Sequence, residues 1–269
     1  EGPCYLWYAI RIQQLPLALI GITLATVSFP LMAEKGNDLK ELFSFLTASL
    51  KKKIAYLIPM TFLMIALGLS GLNVLYGHGA FSSEDVWETF YCFIAYSLGL
   101  FPMSLSLLLA NFFYSQGDYK IPSKAAVLSV FCNVALNALF IFHFQFGTLS
   151  VALATSLSSI FNCLYLCFYI QKQEGCKALF PWKYFLKILL LGLSVFLAIG
   201  VFQEFFTLRG AFSFINTHDS LSRFTWTQLK VFFMEGIAAV LFLALGSYLF
   251  KCSEVLEIFS LFLPRRKKR

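Results

Sequence analysis

The chain has 269 residues, of which 59% are hydrophobic and 13% are charged, and its mean hydropathy is +0.75. Soluble globular domains carry about 25% charged and about 45–50% apolar residues, so this composition excludes an ordinary soluble enzyme and a disordered chain. The net charge of +7 comes from basic residues gathered in particular loops. Such a distribution indicates membrane topology rather than nucleic-acid binding.

Seven apolar segments run along the chain, and each has about the 20 residues that a helix needs to cross a bilayer. None shows the alternation of a barrel strand, so we predict an all-α, polytopic membrane protein with about seven transmembrane helices. The segments cover residues 4–32, 54–76, 86–114, 125–146, 149–170, 184–206 and 229–250.

Most of the 21 Lys and Arg residues fall in alternate loops, which lie on one side of the membrane if the spans alternate. These loops are residues 33–53, 115–124 and about 171–187, together with the tail from 251 to 269. Because basic loops stay in the cytoplasm, we predict that Arg269 is cytoplasmic and that the start of the chain is periplasmic. Glu1 is not preceded by a signal peptide, so we expect the interior or C-terminal part of a longer chain.

The motifs of hydrolases and nucleotide-driven pumps are missing from the sequence. It contains no GxSxG, HExxH or P-loop, and its three His residues are far apart. The seven Cys residues form no CxxC pair, so we predict neither a metal site nor a cofactor. A protein that moves or holds a ligand is favoured over an enzyme.

Arg11 is the most informative residue, because it lies about two turns into the first span. An arginine deep in hydrocarbon costs roughly 2.5–3.5 kcal/mol, so it indicates a wet cavity or an anionic partner. The alternative is that the side chain extends to the outer headgroups. Gln14 follows on the same helix face, and Pro16 removes a backbone hydrogen bond one turn later. We predict a substrate-binding pair, Arg11 and Gln14, with Pro16 at a gate or hinge.

Polar residues in the fourth and fifth spans form a second candidate site. Asn133 and Asn137 are four residues apart in the fourth span, and Thr155 and Asn162 lie in the fifth. Amide and hydroxyl oxygens on adjacent helices bind a hard cation such as Na⁺. The alternative is a set of interhelical hydrogen bonds that clamps the two helices together.

Two carboxylates lie near the ends of spans. Glu88 is at the start of the third span and Glu235 about two turns into the last one. A carboxylate at depth can relay protons. In the predicted topology both lie near the outer interface, which favours solvated positions at helix ends.

Three stretches together resemble the MurJ/MviN family of lipid II flippases, within the multidrug and oligosaccharide exporter superfamily. WYAIRIQQLPLALIGITLATVSFP is similar to the first C-terminal-lobe span of the family, and LYGHGAFSSEDV to an outer loop. ANFFYSQGDYKIPSKAAVLSVFCNVALNALF, followed by SVALATSLSSIFN, is similar to a loop and the two helices after it. The resemblance covers about residues 2–170.

The resemblance implies a two-lobe transporter of fourteen helices, of which this chain is the C-terminal half. Residues 1–170 would supply five spans of the lobe, residues 171–250 two additional spans, and residues 251–269 a basic cytoplasmic tail. The family moves undecaprenyl-linked peptidoglycan precursor across the bacterial inner membrane by alternating access. Its partners would be lipid II, membrane lipids and the missing N-terminal half, with Na⁺ or proton coupling.

The resemblance also implies roles for single residues. Arg11 would attract the pyrophosphate of the lipid, and Asn133, Asn137 and Thr155 match positions that bind sodium in some members. Asn137 stands where an acid is common, which weakens the sodium prediction. Two alternatives remain: a related exporter of drugs or O-antigen units, and a membrane scaffold for cell-wall synthases.

Overall fold

The computed structural model describes residues 2–173, 179–206, 226–252 and 254–256. Within these residues the backbone forms α-helices and one π-helical segment, joined by short turns, and no strand. The elements are α1 (Gly2–Pro16), the π segment (Leu17–Ile22), α2 (Thr23–Glu34), α3 (Leu39–Tyr76), α4 (Ser83–Ser115), α5 (Lys120–Phe142), α6 (Leu149–Lys172), α7 (Trp182–Phe206) and α8 (Trp226–Leu249).

Seven helical stretches in the described residues are long and apolar enough to cross a membrane. The first, Gly2–Glu34, runs through α1, the π segment and α2, and each later helix supplies one more. The prediction of an all-helical protein with seven spans is therefore confirmed. The tail from residue 257 onward lies outside the described residues, and the division into five spans and two additional spans stays a prediction.

Acidic residues in the connecting turns fix where three helices begin. The Asp38 carboxylate accepts from the backbone N–H of Lys40 at 2.9 Å, at the start of α3. Asp118 caps α5 in the same way through the N–H of Lys120, at 2.9 Å. Ser82 and Asp85 form a reciprocal pair before α4, of the type that satisfies two free N–H groups at a helix N-terminus.

The chain divides into two compact units, and α3 and α4 contribute residues to both. The first unit contains the described residues up to Leu57 together with Tyr91–Tyr184. In it the Ser156 hydroxyl donates to the Ala95 carbonyl at 2.6 Å, where Gly99 lets the two helices approach closely.

The second unit contains Ile58–Phe90 and the described residues from Phe185 onward. Glycines bring its three long helical stretches together. A Cβ atom on Gly192 of α7 would collide with the Phe62 ring of α3, and one on Gly246 of α8 would lie 2.8 Å from Leu191 of α7. The small residues thus allow the close packing that associates helices in lipid.

Backbone geometry changes directly after Pro16, where the π segment replaces the α-helix. A proline supplies no N–H to the carbonyl four residues earlier, which here is that of Ile12, and π-helical turns bond i→i+5 instead of i→i+4. Side chains of the same unit add donors to two carbonyls of the π segment. The Thr23 hydroxyl donates to the Ala18 carbonyl at 3.0 Å, and the Lys53 ammonium donates to the Gly21 carbonyl at 2.9 Å.

Lys53 is fully buried and joins the π segment to α4. Its Nζ atom also lies 2.7 Å from the Ser104 carbonyl oxygen and 2.7 Å from the Ser104 hydroxyl. The prediction that Lys53 lies in a loop, residues 33–53, is wrong, because it is a buried helical residue; the side of the membrane stays a prediction. Because α3 begins at Leu39, the three consecutive lysines are helical, and only Lys51 and Lys52 point outward.

We predict that Lys53→Met lowers the stability of the protein by about 1–3 kcal/mol, because buried oxygens lose their donor. The measurement is the thermal unfolding midpoint of the full-length protein in detergent. Lys52→Met is the matched control, since it makes the same chemical change at an exposed neighbour and should leave the midpoint unchanged. Equal midpoints for the two variants would contradict a structural role for Lys53.

Candidate functional site

Arg11 lies on α1 with its side chain exposed. Its Nη1 atom makes a long hydrogen bond of 3.4 Å to the Gln14 side-chain oxygen. Its Cζ atom is 4.9 Å from the centre of the Trp7 ring, a cation–π contact. These two neighbours orient the guanidinium, and both are neutral, so they do not neutralise its positive charge. The hydrogen bond to Gln14 uses one of its five N–H donors, and the others can bind an anion.

The structure thus brings Arg11 and Gln14 together, as the spacing predicts. The adjacent Gln13 has a different role that the sequence analysis missed. Gln13 is buried, and its amide nitrogen donates to the Tyr96 carbonyl of α4 at 3.0 Å and contacts the Met103 sulfur at 3.7 Å. Gln13 therefore anchors α1 to α4 and leaves Gln14 and Arg11 on the open side of the helix.

Pro16 is buried at the junction between α1 and the π segment. The local departure from α-helical geometry agrees with the effect expected of a proline in a helix. The gate or hinge role of Pro16 stays a prediction.

Asn133 and Asn137 belong to a ladder of hydrogen bonds that runs along α5 and crosses to α6 at Ser158. The Asn137 amide donates to the Asn133 oxygen at 3.0 Å, and the Asn133 amide donates to the Ser158 hydroxyl at 3.2 Å. Thr155 donates its hydroxyl proton to the Val151 carbonyl of its own helix at 2.7 Å. The interhelical clamp that the sequence left open is therefore present.

One observation still fits a cation. The side-chain oxygen of Asn137 is buried and accepts no hydrogen bond within the described part of the chain, and the Thr155 oxygen keeps its lone pairs. Neutral oxygens of this kind are suitable ligands for a hard cation. However, the side chains of the ladder are neutral amides and a hydroxyl, so they offer a cation no negative charge. The described residues also contain no group of three or more His, Cys, Asp or Glu side chains able to hold a metal.

A cavity of about 550 Å³ lies inside the first unit, between the π segment and helices α4, α5 and α6. Its wall is largely apolar, with neutral oxygens from Ser106, Ser129, Thr155, Ser158 and Asn162. Arg11 and Gln14 do not line it, and neither does Asn133 or Asn137. The predicted substrate-binding pair and the cavity are thus separate features of the unit.

The two end-of-span carboxylates differ in the structure. Glu88 is exposed, as predicted. Glu235 is only 1% exposed, so the prediction of a solvated position is wrong for it. Depth along a helix was the only signal in the sequence, and depth does not report which face of the helix is covered by neighbours.

Comparison with known proteins gives the family. The family model described as "Lipid II flippase MurJ" matches residues 1–217. The chain is 30% identical over 206 residues to a probable lipid II flippase MurJ of Chlamydia muridarum, an alignment that covers 74% of this chain and 38% of that protein. It is 33% identical over 194 residues to the lipid II flippase MurJ of Thermosipho africanus, covering 72% of this chain and 38% of the relative.

A solved structure of lipid II flippase MurJ in an inward closed conformation superposes with a TM-score of 0.72 at 28% identity. The match covers 93% of this chain and 47% of that one. The chain therefore spans less than half the length of the relatives that it matches. With the helical fold, the seven spans and a family match over most of the sequence, the chain belongs to the MurJ family of lipid II flippases.

Proposed function

We propose that this chain forms part of a flippase that moves lipid II, the undecaprenyl-linked peptidoglycan precursor, across the bacterial inner membrane. Arg11 is the observation that carries the proposal, together with the family match. The residue presents an exposed guanidinium in a span whose residues 2–33 include no other charged side chain. A charge at that place is expensive unless an anion or water meets it.

The chemistry of Arg11 suits a pyrophosphate. A guanidinium binds phosphate oxygens in a bidentate manner and stays charged at every physiological pH. Gln14 positions the group from one side at 3.4 Å, and the Trp7 ring supports it from another. The N–H donors of Arg11 are therefore already oriented before an anionic lipid headgroup binds, which lowers the entropy cost of binding.

The transport step makes and breaks no bond, so the proposed protein is a transporter and not an enzyme. By analogy with transporters built of two lobes, the substrate is exposed first to one side of the membrane and then to the other. The second lobe would come from the remainder of a longer chain. The interruption of α-helical geometry after Pro16 lies one to two turns from Arg11, where a small backbone adjustment would move the anion contact.

We predict that Arg11→Ala abolishes function in cells that depend on the full-length gene for lipid II flipping. The assay is growth and cell shape after depletion of the resident flippase, at matched membrane levels of each variant. Arg11→Lys should restore part of the growth, because lysine keeps the charge but loses the bidentate geometry. Lys40→Ala is the control, since it removes one exposed cation from the start of α3 and should behave as the wild type.

The same assay separates the alternatives. Growth with Arg11→Ala equal to the wild type would keep flipping but remove Arg11 from substrate binding. Failure of the wild type itself, at good membrane levels, would favour an exporter of another substrate or a scaffold.

We also propose that the ladder between α5 and α6 binds Na⁺ weakly, through the Asn137 oxygen and its neighbours. The buried acceptor without a donor supports a cation ligand, and the absence of a carboxylate from the ladder's own hydrogen bonds limits its affinity.

We predict that Asn137→Asp increases the stabilisation of the full-length protein by Na⁺, because a carboxylate adds the charge that the neutral oxygens lack. The measurement is the unfolding midpoint in NaCl compared with KCl at equal ionic strength. Asn137→Ala should remove whatever preference for Na⁺ the wild type has. If Na⁺ and K⁺ act equally on all three proteins, the ladder is a clamp and not an ion site.

A further inference from the structure

A buried carboxylate in the second unit has no role in the proposed lipid contact. Glu235 lies on α8, inside the candidate span Gln228–Leu249, and is 1% exposed. Helices α3 and α7 pack in the same unit, and Gly71 of α3 lies against the Phe232 ring one turn before Glu235. The carboxyl group is therefore covered by protein and not by headgroups or water.

Two neutral side chains from two other helices meet this carboxyl group. The Ser70 hydroxyl oxygen of α3 is 2.5 Å from Oε2 of Glu235. The Gln203 side chain of α7 also forms a hydrogen bond to Glu235. The Gln203 amide is oriented by a further bond, from its nitrogen to the Ala66 carbonyl at 3.1 Å. Three helices thus converge on one acid through groups that carry no charge.

The hydrogen bonds of Ser70 indicate where the proton lies. Its oxygen is close to two acceptors, Oε2 of Glu235 and the Leu67 carbonyl oxygen at 3.2 Å. A serine hydroxyl has a single proton and cannot donate to both. Both bonds form at once if Glu235 is the neutral acid, because its O–H then donates to Ser70, and Ser70 donates to Leu67.

The charges on the packed helices agree with a neutral acid. The α3 residues of this unit, Ile58–Tyr76, include no charged side chain. On α7 the charged residues are Lys183 and Glu204, which are exposed, and Lys187, which donates to the Lys251 carbonyl. On α8 itself Lys230 is exposed, five residues before Glu235.

No cation from these elements is within ion-pair distance of Glu235 among the residues that the structure describes. An ionised carboxylate would therefore be buried in an apolar medium without a counter-ion, which is far more costly than burying the protonated form.

We propose that Glu235 is a proton-binding site within the membrane, with Ser70 and Gln203 as the groups that position it. The site holds its proton when the three helices are packed as described. It releases the proton at high pH, or when the carboxyl group is hydrated or meets a cation. This inference concerns a ligand other than the lipid and does not depend on which lipid is transported.

The test uses the full-length protein in membrane vesicles and dicyclohexylcarbodiimide, an apolar reagent that adds to protonated carboxylic acids. Peptide mass mapping should find the adduct on Glu235 at neutral pH. As the site loses its proton at high pH, labelling should fall by about tenfold per pH unit. Glu235→Gln should remove this adduct, while NaCl in place of KCl should leave the labelling of the wild type unchanged.

A second measurement covers the case in which the reagent does not reach the site. The infrared spectrum of the wild type at neutral pH should contain a carboxylic acid carbonyl band that is missing in Glu235→Gln. Glu235→Gln should also unfold at the wild-type temperature, because glutamine resembles the neutral acid in shape, whereas Glu235→Ala should unfold earlier.

Three results would overturn the proposal. The first is the absence of the acid band at neutral pH, and the second is labelling of Glu235 that does not change with pH. The third is protection of Glu235 by Na⁺ but not K⁺, which would make the group an ionised cation ligand. None of these results bears on lipid II flipping, so the two proposals can fail separately.

Discussion

The structure depends on one constraint, which is that backbone polar groups inside a bilayer need partners from the protein. Directly after Pro16, which offers no N–H, the backbone changes from α-helical to π-helical geometry. Lys53 adds a side-chain donor to this segment, with 2.9 Å between its ammonium nitrogen and the Gly21 carbonyl oxygen. The same ammonium group bonds twice to Ser104, so a break in the first span and the position of α4 are linked through one side chain.

Polar residues of the spans differ in whether their hydrogen-bonding groups are already used within the protein. Lys53 and Gln13 are buried and use their donors on backbone carbonyls, so they stabilise the arrangement of helices. Arg11 is exposed, and the side chains that contact it in the described part of the chain, Gln14 and Trp7, are neutral, so it retains binding capacity. Asn137 keeps one buried oxygen without a donor in the described chain. Function is expected from Arg11 and Asn137, because unsatisfied groups in hydrocarbon carry a cost that binding can offset.

Much of the fold could be predicted from sequence because hydropathy and length alone determine membrane spans. The seven apolar segments correspond to the seven candidate spans. Most helix limits differ from the predicted ones by a few residues, but α3 begins at Leu39 instead of residue 54. Arg11 and Gln14 were also predictable as neighbours, since residues three apart share a helix face. Asn133 and Asn137 were predictable for the same reason.

The burial of Lys53 and Glu235 could not be predicted in this way. Three consecutive lysines are typical of a basic loop, and nothing within the run distinguishes Lys53 from Lys52. Its acceptors are Gly21 and Ser104, which are remote in sequence. Glu235 likewise meets Ser70, which is 165 residues away. Which face of a helix is covered depends on such tertiary contacts, and a single sequence does not contain them in readable form.

We propose Arg11 as the anion contact for a pyrophosphate-linked lipid. The most direct test of this proposal is the dissociation constant of lipid II for the purified full-length protein, measured for the wild type and for Arg11→Ala under the same conditions. A charge-assisted hydrogen bond contributes about 1.5–3 kcal/mol, so we predict that Arg11→Ala weakens binding by at least about tenfold. Equal dissociation constants for the two proteins, with both folded, would contradict the account.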